Sequence, residues 1–78
     1  MITLNEAQQR IESALNGRYD KDELRSIMRG LLTEATGLSR SALLLADKDT
    51  LLSTEASQAL SRYLDRMKTG MPLQYAVG

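Results

Sequence analysis

Apolar side chains recur every three or four residues along most of the chain, the spacing that places them on one face of an α-helix. The first such stretch predicts a helix over Leu4–Leu15. Thr3 occupies the expected N-cap position, and Glu6 three residues later completes the pattern of a capping box. The helix is predicted to end at Asn16 and Gly17, because both residue types tolerate the left-handed conformation found at helix C-termini.

The second stretch has the most regular apolar pattern and predicts a helix that begins after Asp20 and ends at Gly37. Glu23 again stands three residues after the expected N-cap. Gly30 lies in the helix interior, where glycine costs about 1 kcal/mol relative to alanine. Its missing side chain would permit the close approach of another helix. The polar face of the predicted helix carries Arg25, Arg29 and Glu34.

A third, short helix is predicted from its N-cap, Ser39, to Ala46. It contains three consecutive leucines at positions 43–45. Consecutive residues of a helix point to different sides, so these leucines cover most of its circumference. We therefore expect the third helix to be wedged between the longer helices.

A fourth helix is predicted from Ser53 to about Thr69. Its apolar residues repeat the spacing of the second helix, and Tyr63 and Met67 fall on the apolar face. Both side chains are therefore predicted to lie in the core.

A small basic stripe near the end of the fourth helix comprises Arg62, Arg66 and Lys68. One interpretation is a solvated face whose last residues suit the negative end of the helix dipole. The other is a contact surface for a partner. Gly70 is predicted to end the helix, and Pro72, the only proline, is placed to open one last turn.

The composition of the 78 residues fits a single all-α domain: leucine and alanine are abundant, and valine occurs once. We predict a small cluster of about four to five helices, two of them long and amphipathic. Ten basic and ten acidic residues give no net charge, which argues against a nucleic-acid surface. No apolar run approaches the ~20 residues of a membrane span. Because the chain has no cysteine, a cytoplasmic location is expected. We also expect the protein to be a monomer.

The residue types needed for several kinds of chemistry are absent. Without histidine or cysteine the chain cannot form a Ser-His or Cys-His nucleophilic pair, and it lacks the usual zinc ligands. The acids at 20–23 and 47–49 are interpreted as a helix N-terminus and a solvated turn, because neither group has the spacing of a calcium loop. We therefore predict no catalytic residue, no metal site and no cofactor site in this chain.

Residues 32–43 have the layout of a helix-turn-helix, with a glycine in the turn and a second helix that begins at Ser39-Arg40-Ser41. In a DNA-binding protein these residues would lie near the base edges. However, leucines dominate the short helix, acids follow it at once, and the chain has no net charge. DNA binding therefore ranks below the other interpretations.

The final nine residues read Gly70-Met71-Pro72-Leu73-Gln74-Tyr75-Ala76-Val77-Gly78. They resemble the Gly-x-Pro-Leu-x-Tyr-Ile-x-Gly stretch of the HemK/PrmC family. A second similarity is Gly37-Leu38-Ser39-Arg40 followed by the three leucines. Members of this family are S-adenosylmethionine-dependent methyltransferases that modify the glutamine amide of the Gly-Gly-Gln motif in class-1 peptide chain release factors.

The resemblance implies a HemK N-terminal-domain-like fold: a helical domain over residues 1–69, and a hinge over 70–78 that leads into a catalytic domain missing from this chain. The family's Asn-Pro-Pro-Tyr motif does not occur here, so no catalytic residue is carried over. S-adenosylmethionine is expected to bind only the catalytic domain. The implied partners are the release factor, which the helical domain helps to hold, and the protein's own catalytic domain.

The resemblance also implies roles for single residues. Leu73, Tyr75 and Val77 are expected to pack across the domain boundary. The basic stripe, from its position beside this segment and not from the resemblance, is the candidate partner contact. A freestanding helical protein-interaction module is the alternative function, followed by the helix-turn-helix DNA-binding domain. The expected hinge residues are Gly70, Pro72, Leu73, Tyr75 and Gly78.

Overall fold

The computed structural model describes residues 2–77, and these residues form helices without a β-sheet, which confirms the predicted all-α class. Helices α1, α2 and α4 pack against one another, α5 packs against α4 and α2, and α3 packs against α2. The helices in chain order are α1 (Leu4–Leu15), α2 (Lys21–Thr36), α3 (Arg40–Leu45), α4 (Thr54–Lys68) and α5 (Leu73–Ala76).

The first four helices begin where the sequence predicts, because each has a side chain that caps its first turn. The Thr3 hydroxyl accepts a hydrogen bond from the Glu6 backbone N–H at 3.1 Å, and the Glu6 carboxylate accepts one from the Thr3 N–H at 3.2 Å. This arrangement is the predicted capping box. Asp20, Ser39 and Ser53 each accept a hydrogen bond from the backbone N–H three residues later.

The end of α1 differs in one detail from the prediction. Asn16 does not adopt the left-handed conformation; it has φ −58° and ψ 132°, and only Gly17 has a positive φ, at 80°. Glycine has no Cβ, so it takes the left-handed position at less steric cost than asparagine. The end of α2 at Gly37 is as predicted.

The core lies between α1, α2 and α4, and Ala76 of α5 completes it. Among residues 2–77 no polar or charged residue is buried. Met67 is buried as predicted, whereas Tyr63 is only partly buried against the core. The largest fully buried side chains are Ile11, Leu15, Leu31, Leu60 and Met67.

The start of the chain pairs with the connection between α3 and α4, a feature that the sequence did not predict. Thr3 and Leu51 form an isolated antiparallel bridge. The Leu4 N–H donates to the Thr50 carbonyl and the Leu52 N–H donates to the Ile2 carbonyl, both at 2.8 Å. This contact fixes the long connection against the first turn of α1.

The position of α3 corrects the prediction that it is wedged between longer helices. Among the helices it contacts only α2, and none of its own residues is buried. Leu44 and Leu45 are 76% and 88% exposed, and only Leu43 packs against the core. A six-residue helix on the outside of α2 can turn only one side inward, so two of its three leucines face solvent.

Candidate functional site

The corner between α4 and α5 is built from backbone hydrogen bonds around Gly70. The Met71 N–H donates to the Arg66 carbonyl at 3.3 Å, and the Gly70 N–H donates to the Met67 carbonyl at 3.0 Å. Gly70 has φ 96°, and together these features form a Schellman motif. The prediction that Gly70 ends the fourth helix is confirmed.

Pro72 opens the last turn as predicted, and α5 folds back onto the domain. Ala76 is fully buried. A Cβ placed on Gly30 would lie 2.9 Å from Leu73 Cδ2, so α2 and α5 meet where the sequence suggested a close approach. Leu73 and Val77 therefore pack against the core of this domain.

Tyr75 differs from its neighbours because 65% of its surface is exposed. Of the three residues expected to pack across the domain boundary, Tyr75 is the one whose side chain is mostly exposed to solvent. The expected hinge residue Gly78 lies outside the described residues.

The structure places Arg62 and Arg66 of the predicted basic stripe one turn apart on the same face of α4, and Lys68 on a different side of the helix. The Arg66 guanidinium donates a hydrogen bond from Nη1 to the Ala76 carbonyl at 2.8 Å and so fastens α5 to α4. Arg62 is exposed one turn earlier on α4. Lys68 lies about 200° around the helix from Arg66 and lines a groove between α1 and α4.

A second basic surface is lined by residues of α2, α3 and the start of α1. Arg25, Arg29 and Arg40 line a groove of about 130 Å³ here, and no acidic residue contributes to its walls. We call it the arginine groove. Its other lining residues are Gln8 and the apolar Leu4, Met28, Leu32, Leu43 and Leu44.

A larger groove between α2 and α5 adjoins the arginine groove and shares Arg29 and Arg40 with it. Thr33 contributes a buried hydroxyl that has no hydrogen-bond partner within the described residues. The α2–α5 groove is wider and shallower, with a volume of about 740 Å³, and it contains one acid, Glu34.

Nothing in the sequence grouped the residues of the arginine groove into one site, and Arg40 was considered only in the helix-turn-helix interpretation and in the family resemblance. In the sequence, Arg25 and Arg29 were recognised only as residues on the polar face of α2. Lys21 extends this pattern at the same four-residue spacing, a signal that could have identified a basic face. The contribution of Arg40 could not be read in the same way, because it depends on how α3 packs against α2.

Among residues 2–77, no three histidine, cysteine, aspartate or glutamate residues gather as metal ligands would. None of the helices in this part of the chain has the length and apolar character needed to cross a membrane.

Comparison with known proteins identifies the domain. The family model described as the PrmC N-terminal domain matches residues 6–78. No curated protein and no solved structure matches the chain. The family match spans nearly the whole chain and contains all of α2 to α5. The chain therefore belongs to the PrmC N-terminal domain family.

Proposed function

We propose that this chain is the non-catalytic substrate-recognition domain of an S-adenosylmethionine-dependent protein-glutamine methyltransferase. In this proposal it helps to hold a class-1 peptide chain release factor in the cytoplasm while a separate catalytic domain transfers the methyl group. The match of residues 6–78 to the PrmC N-terminal domain is the observation that carries the proposal.

The exposed apolar residues support a protein partner. Leu44, Leu45 and Tyr75 are largely accessible to solvent, so their apolar surface is available to a protein partner. A freestanding interaction module would use the same surfaces. The family match favours the methyltransferase context, because the matched family is the N-terminal domain of PrmC.

Calorimetric titration of a class-1 release factor into this chain tests the proposal. We expect saturable binding that is weak, with a Kd of about 1 μM or higher, because a small domain supplies only part of an interface. A release factor with its Gly-Gly-Gln glutamine replaced by alanine is the matched control and is expected to bind equally well, because that glutamine belongs to the catalytic domain's site. The absence of saturable binding up to about 1 mM, a free energy of only about −4 kcal/mol, would contradict the proposal.

The same proposal assigns S-adenosylmethionine to the catalytic domain. Titration of S-adenosylmethionine into this chain is therefore expected to give no heat beyond dilution. Binding with a Kd of about 1 μM, equivalent to about −8 kcal/mol, would show that the helical domain itself binds the cofactor and would contradict its assignment to the catalytic domain.

A further inference from the structure

We propose that the arginine groove is a docking site for an acidic protein segment that carries one apolar anchor side chain. This inference rests on the proposed function for the identity of the partner, the release factor. The physical argument for the groove itself comes from its charge, its apolar floor and its size.

The charge of the groove has one sign. Arg25 and Arg29 are four residues apart on α2, where side chains are neighbours, and α3 adds Arg40. Like charges at this spacing destabilise a helix slightly. Because none of the lining residues is acidic, the groove offers three guanidinium groups to an approaching carboxylate. The chain as a whole is electroneutral, so the groove is a local separation of charge.

The floor of the groove favours a protein over a nucleic acid. Leu4 and Leu32 are buried beneath it, Met28 and Leu43 are partly buried, and Leu44 stands exposed at its edge. No aromatic residue lines the groove, so it lacks the stacking platform that single-stranded nucleic acids use. Phosphates would satisfy the arginines but would leave the apolar floor without a partner.

The size of the groove suits an anchor of one apolar side chain. An apolar cavity of about 150 Å³ accommodates a benzene-sized group. The arginine groove, at about 130 Å³, matches one leucine or phenylalanine side chain. Flanking aspartate or glutamate residues would then lie against the arginine rim.

Two variants and a matched control test this docking site by titration with a class-1 release factor. Arg29→Glu reverses a charge on the rim and is expected to weaken binding on the order of tenfold. Leu44→Ala removes the exposed apolar edge and is expected to weaken binding about threefold or more. Arg10→Glu makes the same charge change on α1, outside the groove, and is expected to alter binding by less than about twofold.

The salt dependence supplies an independent readout. Affinity of the unchanged chain is expected to fall as salt rises, and Arg29→Glu is expected to flatten this dependence more than Arg10→Glu does. The three substituted side chains are exposed, so thermal unfolding of each variant should remain cooperative and confirm folding. Equal effects of Arg29→Glu and Arg10→Glu would overturn the docking site while leaving the proposed function intact.

A peptide probe separates failure of the docking site from failure of the proposed function. We would add a peptide with one phenylalanine flanked by glutamates to the isotope-labelled chain and follow backbone amide shifts by NMR. Shifts centred on the groove, absent with a lysine-flanked peptide, are expected even if the release factor does not bind. Absence of shifts at the groove, or stronger binding there of duplex DNA than of the peptide, would contradict the inference.

Discussion

At Gly30 two effects on stability oppose each other. Alanine is the better helix former by about 1 kcal/mol, so the residue type alone disfavours glycine inside α2. The Leu73 side chain occupies the space that a Cβ would take, with Cδ2 only 2.9 Å from that position. The glycine is therefore explained by the packing of α5 on α2, a contact between residues that are 43 positions apart in the sequence.

A double-mutant cycle tests this contact. Gly30→Ala alone is expected to raise the free energy of unfolding by less than about 1 kcal/mol, because crowding against Leu73 offsets the better helix propensity. In a Leu73→Ala background the same substitution should give the full gain of about 1 kcal/mol. Urea denaturation measures both values. Equal gains in the two backgrounds would show that Leu73 does not pack on Gly30.

Arg66 gives a second test at the residue scale. Arg66→Ala removes the hydrogen bond to the Ala76 carbonyl and is expected to lower the free energy of unfolding by about 0.5–1.5 kcal/mol. Arg62→Ala changes an exposed arginine on the same helix and should remain within about 0.5 kcal/mol of the unchanged chain. Urea denaturation curves in which the two substitutions have equal effects would argue against the role of Arg66 in holding α5.

At the scale of elements, the helices differ in how much of their surface they bury. Helix α4 supplies five buried residues and contacts α1, α2 and α5, whereas α3 supplies no buried residue and contacts only α2 among the helices. The leucines of α3 therefore contribute little to the core. Under the proposed docking, the exposed Leu44 supplies the apolar edge of the arginine groove.

Two leucine-to-alanine substitutions compare these helices directly. Leu60→Ala in α4 is expected to lower the free energy of unfolding by about 2–5 kcal/mol, because Leu60 is fully buried. Leu45→Ala in α3 is expected to change it by no more than about 0.5 kcal/mol, because this side chain is 88% exposed. Thermal and urea unfolding provide the measurement. A loss for Leu45→Ala as large as that for Leu60→Ala would place α3 in the core.

For the whole molecule, local signals in the sequence predicted the elements better than their arrangement. Thr3, Asp20, Ser39 and Ser53 marked the starts of four helices, because each cap acts within its own turn. The pairing of Thr3 with Leu51 and the exposed position of α3 depend on contacts between distant segments. No local pattern encodes such contacts.

In the candidate site, too, the features set by local sequence were predicted and those set by contacts between distant segments were not. Gly70 and Pro72 were predicted from their local backbone preferences, and the structure shows the expected stop and restart of the helix. The basic stripe was predicted from sequence spacing alone, and the hydrogen bond from Arg66 to the Ala76 carbonyl depends on how α5 packs on α4. The arginine groove joins residues from α2 and α3 with the start of α1, so it became visible only once these elements were placed together.

The most direct test of the proposed function is competition during methyl transfer. An intact glutamine methyltransferase of the HemK/PrmC family would modify a class-1 release factor while this chain is added in increasing excess. If the chain holds the release factor, the initial rate of methylation should fall and should recover when more release factor is supplied. A rate that stays unchanged at the highest soluble concentration of the chain would contradict a role in release-factor recognition.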